Sequence, residues 1–396
     1  MKKRLLHVLG GGQWQVPTVR LAKQLGYRVL VTDMFKERPA YAMADSYEIV
    51  DIADPKATLD VAKRYLIDGI LCDTTDTGVP TAAYVAETMQ LPGMGFETAL
   101  NFTDKWRMRT LTAAAGCYAP DNLLVNSQKE VAEAAGKLDF PVIVKPVDNQ
   151  SGRGVTVVRD RDKLLSAYYY ALRKSRKASV LVESYIRGDE YIVDGFMVDG
   201  VAQVLGIALK TPNTENSTVA DHITYQPMSK GRLQQKVIDA NERAISALGL
   251  LNGIFHAEYR VCGEQVFPID IAARGGGCKI YSHVLPNLSG VHVNREMIKF
   301  AMGESFSVLT NANRAANIEF LQLSAGIVES ITGIDDARAV PGVITAHINF
   351  QFDERKAVLR EKDDRPGYLI SVADSAEQAK RITADAVSLL KINLRN

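Results

Sequence analysis

Two carboxylates and an arginine have the types and spacing of a metal and phosphate site. Glu258 lies in the apolar run HAEY and Asp270 in PIDIAAR, with a turn at Gly263 between the two runs. If the runs pair as antiparallel strands, the carboxylates lie side by side and repel each other unless a cation separates them. Such hard oxygen ligands suit Mg²⁺, and Arg274 adds a forked donor for phosphate or carboxylate. The alternative, surface acids on a hairpin, fits the apolar flanks less well.

A lysine followed by a glycine-containing turn forms a second candidate site. Lys145 ends the buried-strand pattern VIVKP, and the turn that follows reads Ser151, Gly152, Arg153, Gly154 and Val155. Glycine lets backbone N–H groups approach phosphate oxygens, and a lysine offsets their charge. The phosphate loop GxxxxGK[ST] is absent. Taken alone, the segment is therefore also compatible with an ordinary hairpin.

A third candidate site is the segment VESYIRGDE, in which Glu183 and Glu190 lie seven residues apart. An extended hinge after a strand can offer backbone groups to an adenine edge. A carboxylate beyond it can accept hydrogen bonds from ribose hydroxyls. The competing interpretation is a solvated strand end.

The elements that must position these residues change in character along the chain. The first hundred residues alternate strand and helix patterns, which predicts a parallel sheet covered by helices. After Thr103 we expect a helix capped by Asp104, a hairpin over 139–160, two strands within 179–200 and a meander over 195–211. Residues 212–222 are polar and predict a mobile loop. A long helix over 233–250, paired strands around Gly263 and a final helix from Ser375 follow.

The glycines near the N-terminus admit two interpretations. Gly10, Gly11 and Gly12 follow a strand and precede a helix, and Asp33 follows the next strand, as in dinucleotide sites. Gln15 stands where that motif has its third glycine. We therefore favour a structural or substrate-facing role over NAD(P) binding.

Composition limits the classes of function. The chain has 396 residues, 47 Lys+Arg against 46 Asp+Glu and a net charge of +1, so no global basic field attracts nucleic acid or anionic membranes. The four cysteines form no CxxC pair, which favours a reducing, cytoplasmic location. No stretch approaches the ~20 apolar residues of a membrane helix.

The order of these motifs resembles the ATP-grasp superfamily. The resemblance runs from the GGG-ended strand through Asp104-Lys105, IVKP, SGRGV, VESYIRGDE and HAEY to PIDIAARGGG. It is closest to carboxylate–amine ligases such as bacterial L-amino acid (dipeptide) ligases, and DDRPGYLISVADSAEQA resembles the closing segment of biotin-carboxylase-like members. The implied fold is mixed α/β and α+β, an N-terminal Rossmann-like parallel-sheet domain followed by a two-lobed ATP-grasp fold. The implied domains are 1–103 (Rossmann-like), 104–194 (central and lid lobe), 195–325 (catalytic lobe) and 326–396 (a segment packed on the catalytic lobe).

The resemblance also implies an activity, in which ATP activates a carboxylate as an acylphosphate and an amine attacks it to give an amide, ADP and phosphate. Glu258 and Asp270 would hold Mg²⁺, for which Mn²⁺ is a substitute. Arg274 would be catalytic and would bind substrate together with Gly276 and Gly277. The implied ATP-binding residues are Lys105, Lys145, Ser151, Gly152, Arg153, Gly154, Val155, Glu183, Ile186 and Glu190. Within that set, Glu183 and Ile186 would frame adenine and Glu190 would hold the ribose.

One departure leaves alternatives open. The family usually reads Glu-x-Asn-x-Arg where this chain has Asp270, Ala272 and Arg274, and alanine cannot coordinate a metal. The alternatives are a carboxyphosphate-forming enzyme like biotin carboxylase, a nucleotide-binding protein with degenerate chemistry, and an NAD(P) oxidoreductase. The expected partners are a small carboxylate and a small amine, with residues 211–230 and the surface above Arg274 setting specificity. A homodimer is compatible with the sequence.

Overall fold

The computed structural model describes residues 3–214, 219–229, 231–323, 326–349, 355–356 and 364–395. Four sheets organise this part of the chain. None of its helices is long and apolar enough to cross a bilayer.

The N-terminal sheet is parallel, with strand order β3-β2-β1-β4. Its strands are β1 (Leu5–Leu9), β2 (Arg28–Asp33), β3 (Ser46–Ile49) and β4 (Gly69–Leu71). The helices of this region are α1 (Val16–Gln24), α2 (Pro55–Tyr65), α3 (Val79–Thr88) and α4 (Phe96–Thr103). Helix α2 begins where the Asp54 carboxylate accepts hydrogen bonds from two backbone N–H groups and proline occupies the first turn, a favourable helix start. The strand–helix alternation predicted from sequence is confirmed, although α4 was not predicted.

Helix α5 (Lys105–Ala114) leads into a small antiparallel sheet of order β5-β8-β6-β7. Its elements are β5 (Asn122–Val125), α6 (Gln128–Lys137), β6 (Val142–Pro146), β7 (Thr156–Val158), α7 (Leu164–Leu172) and β8 (Val180–Ser184). Asp104 caps α5 as predicted, accepting hydrogen bonds from the N–H groups of Trp106 and Arg107. The predicted hairpin is β6 paired with β7.

An eight-stranded antiparallel sheet of order β13-β12-β9-β10-β11-β14-β18-β16 dominates the rest of the described chain. Its strands are β9 (Asp189–Val198), β10 (Val201–Pro212), β11 (Ala220–Gln226), β12 (Gly253–Cys262), β13 (Gln265–Ala272), β14 (Ala315–Phe320), β16 (Val343–Ile348) and β18 (Gly367–Ala373). The accompanying helices are α8 (Arg232–Leu248), α9 (Leu285–Ser289), α10 (Val293–Ala301), α11 (Ile334–Ala339) and α12 (Ala376–Ser388). A three-stranded sheet joins β15 (Gly326–Thr332), β17 (Arg355–Lys356) and β19 (Lys391–Arg395) in the order β17-β15-β19.

The predicted loop over 212–222 needs correction. Strand β10 extends to Pro212 and β11 begins at Ala220, where Val219 and Ala220 are buried. Packing against the sheet therefore overrides the polar local sequence at both ends of the segment, and residues 215–218 lie outside the described part of the chain. The domain division stays a prediction, and its boundary at 194 falls inside β9.

Candidate functional site

A cavity of about 480 Å³ lies where the small sheet, the large sheet and the N-terminal region meet. Twelve of the residues predicted for the site line it: Lys105, Lys145, Ser151, Gly152, Val155, Glu183, Ile186, Glu190, Glu258, Asp270, Arg274 and Gly277. Three are not among its lining residues: Arg153, Gly154 and Gly276. A Cβ on Gly154 would meet Pro146 at 3.1 Å, and one on Gly276 would meet His256 at 2.9 Å. Tight packing thus accounts for these two glycines, and the ligand roles of all fifteen residues stay predictions.

The paired carboxylates adopt the predicted arrangement. Glu258 on β12 and Asp270 on β13 are directly opposite in the antiparallel ladder. The Lys105 ammonium lies 3.0 Å from Asp270 Oδ1, and the Lys210 ammonium lies 3.8 Å from Glu258 Oε1. Burial, the largest single effect, tends to raise the pKa of Asp270, but the charges of Lys105 and Lys145 and the hydrogen bond from Lys105 together lower it. The Asp270 carboxylate is therefore held in its ionised form, ready to accept a cation.

The two carboxylates fit a Mg²⁺ ion whose remaining ligands are phosphate oxygens of a bound nucleotide. Two facing carboxylates give hard oxygen donors, and Mg²⁺ is commonly held by one or two carboxylates with phosphate oxygens. Within the described ranges no three potential metal-ligating side chains cluster. His256, not an acid, faces Ala272 across the ladder.

A buried ion cluster fixes the lysine that ends β6. Glu183 accepts a hydrogen bond from Arg109 Nε at 2.7 Å and lies 2.6 Å from the Lys145 ammonium. All three residues are at most 4% exposed. Burial alone would raise the pKa of Glu183, but the two cations lower it to about 2. The Glu183 carboxylate thus holds Lys145 in position. Because both of its oxygens are engaged by cations, contacts with an adenine base would fall to the backbone of the residues that follow Glu183.

Arg109 was not predicted as a site residue, although the sequence contains a signal for it. Lys105 and Arg109 are four residues apart on α5, so they share one helix face. Arg109 also donates to the carbonyl oxygens of Pro268 and Ile269. It therefore ties the helix both to the small sheet and to the strand that carries Asp270.

Arg274 faces the cavity with an acid partner of its own. Its Nε donates to Asp76 at 2.7 Å and its Nη2 at 3.4 Å, which raises the pKa of Arg274 against the effect of burial. Gly275 donates from its N–H to the Asp73 carbonyl at 2.8 Å. A Cβ on Gly275 would meet the Tyr281 ring at 2.5 Å. The N-terminal region thus sets the position of Arg274, and sequence reasoning missed Asp76 because 198 residues separate the pair.

Glu190, predicted to hold a ribose, already has two cationic partners. Lys210 pairs with one carboxylate oxygen and Arg260 lies 2.8 Å from the other. Lys210 and Arg260 both line the cavity and had no motif to mark them. A ribose hydroxyl would therefore share this carboxylate with the two cations.

The N-terminal glycine loop closes on itself. Gly11 donates from its N–H to Asp33 at 2.9 Å, and Arg38 Nε lies 3.1 Å from the same carboxylate. A Cβ on Gly11 would meet Arg38 at 2.8 Å. Asp33 therefore stabilises the glycine loop, which agrees with a structural role for this loop.

Comparison with known proteins assigns family models to two parts of the chain. The ATP-grasp domain model matches residues 138–282, and L-amino acid ligase C-terminal domain 2 matches residues 319–395. A formate-dependent phosphoribosylglycinamide formyltransferase from Synechococcus sp. (strain CC9311) is 25% identical over 387 residues, covering 92% of this chain and 91% of the relative.

Two solved structures show the fold. The L-amino acid ligase from Bacillus licheniformis superposes with a TM-score of 0.85 at 20% identity, over 100% of both chains. The biotin carboxylase domain dimer of Hydrogenobacter thermophilus 2-oxoglutarate carboxylase, in complex with ADP, magnesium and bicarbonate, has a TM-score of 0.74 at 16% identity, over 99% of this chain and 91% of that one. The predicted combination of a Rossmann-like parallel sheet and a two-lobed ATP-grasp fold is confirmed.

Proposed function

We propose that the chain is an ATP-grasp carboxylate–amine ligase, which joins a small carboxylate to a small amine with ATP as co-substrate. The observation that carries the proposal is the single cavity that holds the Glu258–Asp270 pair, Lys105, Lys145 and Arg274. Phosphoryl transfer to a carboxylate requires paired acids that hold a metal, cations that offset phosphate charge and a forked donor such as the Arg274 guanidinium.

ATP would lie with its phosphates toward Lys105 and Lys145 and its base near Ile186. The turn over Ser151, Gly152, Arg153, Gly154 and Val155 would cover the phosphates. Glu183 contributes by fixing Lys145, and Glu190 would accept a hydrogen bond from the ribose.

Glu258 and Asp270 would hold Mg²⁺, or Mn²⁺ in its place. The metal would offset charge on the phosphate oxygens and so favour attack on phosphorus. Asp270 must then exchange its contact with Lys105 for the metal, which frees that lysine for phosphate.

In the proposed reaction a carboxylate oxygen of the acid attacks the γ-phosphorus, and the bond to the β-bridging oxygen breaks to release ADP. The amine nitrogen then attacks the acyl carbon, phosphate leaves, and the nitrogen loses a proton. Arg274 would stabilise the charge on the moving phosphoryl group and orient the acid, while the backbone of Gly276 and Gly277 would border it. A closed cavity excludes water, which would otherwise hydrolyse the acylphosphate.

We also propose a cytoplasmic enzyme that forms a homodimer. The four cysteines, all within the described ranges, form no disulfide, which suits a reducing compartment. A dimer is supported by the biotin carboxylase domain of the same fold, which is described as one.

The test is a screen of acid and amine pairs for phosphate release with ATP and Mg²⁺, followed by product mass. We expect ADP and phosphate in equal amounts and a product lighter than the two substrates together by one water. Arg274→Ala should abolish the signal, whereas Arg314→Ala, at an exposed pair with Asp374, should not. ADP formation that requires bicarbonate would favour the carboxyphosphate alternative instead.

A further inference from the structure

A second cavity, of about 570 Å³, lies beside helix α1. It borders the first cavity, which holds the Glu258–Asp270 pair: Gly277 and Cys278 line the first cavity, and the next residue, Lys279, lines the second. We call the second space the outer cavity. The proposed ligase chemistry makes no use of it.

The outer cavity is lined by cations and by no acid. Its charged lining residues are Arg20, Lys279 and Arg295, and neither aspartate nor glutamate lines it in the part of the chain that the structure describes. Within the same ranges none of these three cations has an ion-pair partner. In the first cavity, by contrast, Lys105 and Lys145 each lie within 3.0 Å of an acid.

The cationic side chains lie close enough to act on one another. Burial lowers the pKa of His283, which also lines the outer cavity, and the charges of Lys279 and Arg20 lower that pKa further. Burial also lowers the pKa of Lys279, and the charge of Arg338 adds to the effect. Like charges gathered in this way repel one another, and an anion placed among them removes the repulsion.

The atoms that would contact an anion are open to the cavity. The polar side-chain atoms that are both enclosed and unpartnered include Arg295 Nε, but not the Lys279 ammonium or His283 Nε2. Neither of these two groups has a hydrogen-bond partner among the described residues, so both have accessible surface. Arg20 is exposed. With the Ser282 hydroxyl donating to His283 Nδ1 at 2.8 Å, the proton on Nε2 is available to a ligand oxygen.

The backbone at Lys279 has an uncommon conformation. Cys278 and Lys279 have φ angles of 53° and 58°, in the left-handed region that residues other than glycine rarely adopt. The Lys279 carbonyl oxygen accepts hydrogen bonds from the N–H groups of His283 at 2.8 Å and Val284 at 3.2 Å, at the start of a π-helical turn over Ile280–Val284. Such turns are rare and often occur at functional sites.

Apolar side chains form another part of the wall. They are Val16, Pro17 and Leu21 of α1, together with Pro286. Sites for small organic molecules have volumes of about 300–1,000 Å³, and the outer cavity falls in that range. A free ion would occupy only a small part of it.

We propose that the outer cavity binds an organic phosphate, whose phosphate group contacts Lys279, Arg20 and His283 and whose organic part packs against the apolar wall of α1. A phosphate ester carries up to two negative charges and three acceptor oxygens, which match two cations and one ring N–H. A carboxylate carries one charge and two oxygens and matches them less well. The inference is independent of the proposed ligase function.

Isothermal titration calorimetry of the full chain without ATP tests the proposal, with phenyl phosphate, inorganic phosphate and benzoate as probes. We expect phenyl phosphate to bind about tenfold more tightly than either of the others, because it combines the phosphate charge with an apolar ring to bury. Equal affinities for phenyl phosphate and inorganic phosphate would show an adventitious ion only and would overturn the proposal. Tighter binding of benzoate, or no binding of phenyl phosphate, would overturn it as well.

Variants place the bound probe in the outer cavity. Lys279→Gln and Arg20→Gln should each weaken phenyl phosphate binding about tenfold, the effect of losing one hydrogen bond to a charged group. Because Arg20 is exposed, its variant keeps the test valid if Lys279→Gln fails to fold. Lys23→Gln, on the same helix but paired with Asp45, should bind as the wild type does, and so should Lys145→Ala in the first cavity. Wild-type affinity in Arg20→Gln and in folded Lys279→Gln, or loss of binding in Lys145→Ala, would contradict the assignment.

Discussion

Replacing Glu183 by glutamine should destabilise the fold, because the Glu183 carboxylate pairs with two buried cations, Arg109 and Lys145. Arg109 and Lys145 lie 2.7 Å and 2.6 Å from its oxygens. Glutamine keeps the shape but leaves both cations without a counter-charge. Breaking one partner out of a buried pair costs roughly 3–5 kcal/mol.

The lowered pKa of Glu183 gives a similar magnitude for the stability that would be lost. The pKa of Glu183 falls from 4.5 to about 2, and each pKa unit corresponds to about 1.4 kcal/mol, so the ionised form contributes about 3 kcal/mol. The folded-state pKa is the lower one, so this stability is complete above pH 4.5 and is lost as the pH falls toward 2. In Glu183→Gln, that part of the pH dependence should be absent.

Urea unfolding followed by tryptophan fluorescence and circular dichroism measures both effects. Glu97→Gln is the control, since Glu97 is 75% exposed in its pair with Arg107 and exposed pairs contribute about 0–1 kcal/mol. An unfolding free energy for Glu183→Gln within about 0.5 kcal/mol of that of the control, the range of ordinary surface substitutions, would refute the buried-cluster argument.

Four further predictions concern the site and one buried histidine. Lys145→Ala should weaken ATP binding in equilibrium dialysis more than Lys145→Arg, since arginine keeps the charge; equal affinities for wild type and Lys145→Ala would remove Lys145 from the site. Glu258→Gln and Asp270→Asn should each abolish turnover while circular dichroism stays unchanged, because each loses an anionic metal ligand; full activity at ordinary Mg²⁺ would contradict the assignment. Arg274→Ala should lower kcat by about 10²–10³ with a smaller change in ATP affinity, and Arg274→Lys should also be strongly impaired; steady-state kinetics within a few-fold of wild type would argue against it. Burial lowers the pKa of His7 to about 3, so the unfolded chain takes up the proton first and stability should fall as the pH drops from 6.5 toward 3; a His7→Gln variant whose urea midpoint fell as steeply would contradict this.

The carboxylate pair was predictable because its signals are local. Two apolar runs flank one turn at Gly263, and the side-chain period of two fixes which residues share a face once the strands pair. Glu258 therefore meets Asp270 in the ladder as expected. The same locality explains why Asp104 could be recognised as a helix cap.

Long-range partners were not predictable from one sequence. Asp76 reaches Arg274 from a turn in the N-terminal region, and no period or motif near either residue marks the other. Three aromatic residues that line the cavity were equally hidden, since Trp14, Phe320 and Tyr368 come from distant segments of the chain. Strand β11 was missed at its start because burial of Ala220 depends on neighbours far along the chain.

Charge balance in the cavity links these contacts to function. Four cations that line it are each paired with an acid in the structure: Lys105 with Asp270, Lys145 with Glu183, Lys210 with Glu190, and Arg274 with Asp76. ATP adds several negative charges, so binding requires either that ion pairs exchange partners or that a cation arrives with the nucleotide.

The four ion pairs differ in how readily they can exchange partners. Glu183 is 3% exposed and holds two cations, whereas the Asp270 side chain is 27% exposed and lies beside a second carboxylate that repels it. Lys105 and Asp270 are therefore the pair that should separate first, the acid to a metal and the lysine to phosphate, while Lys145 stays fixed.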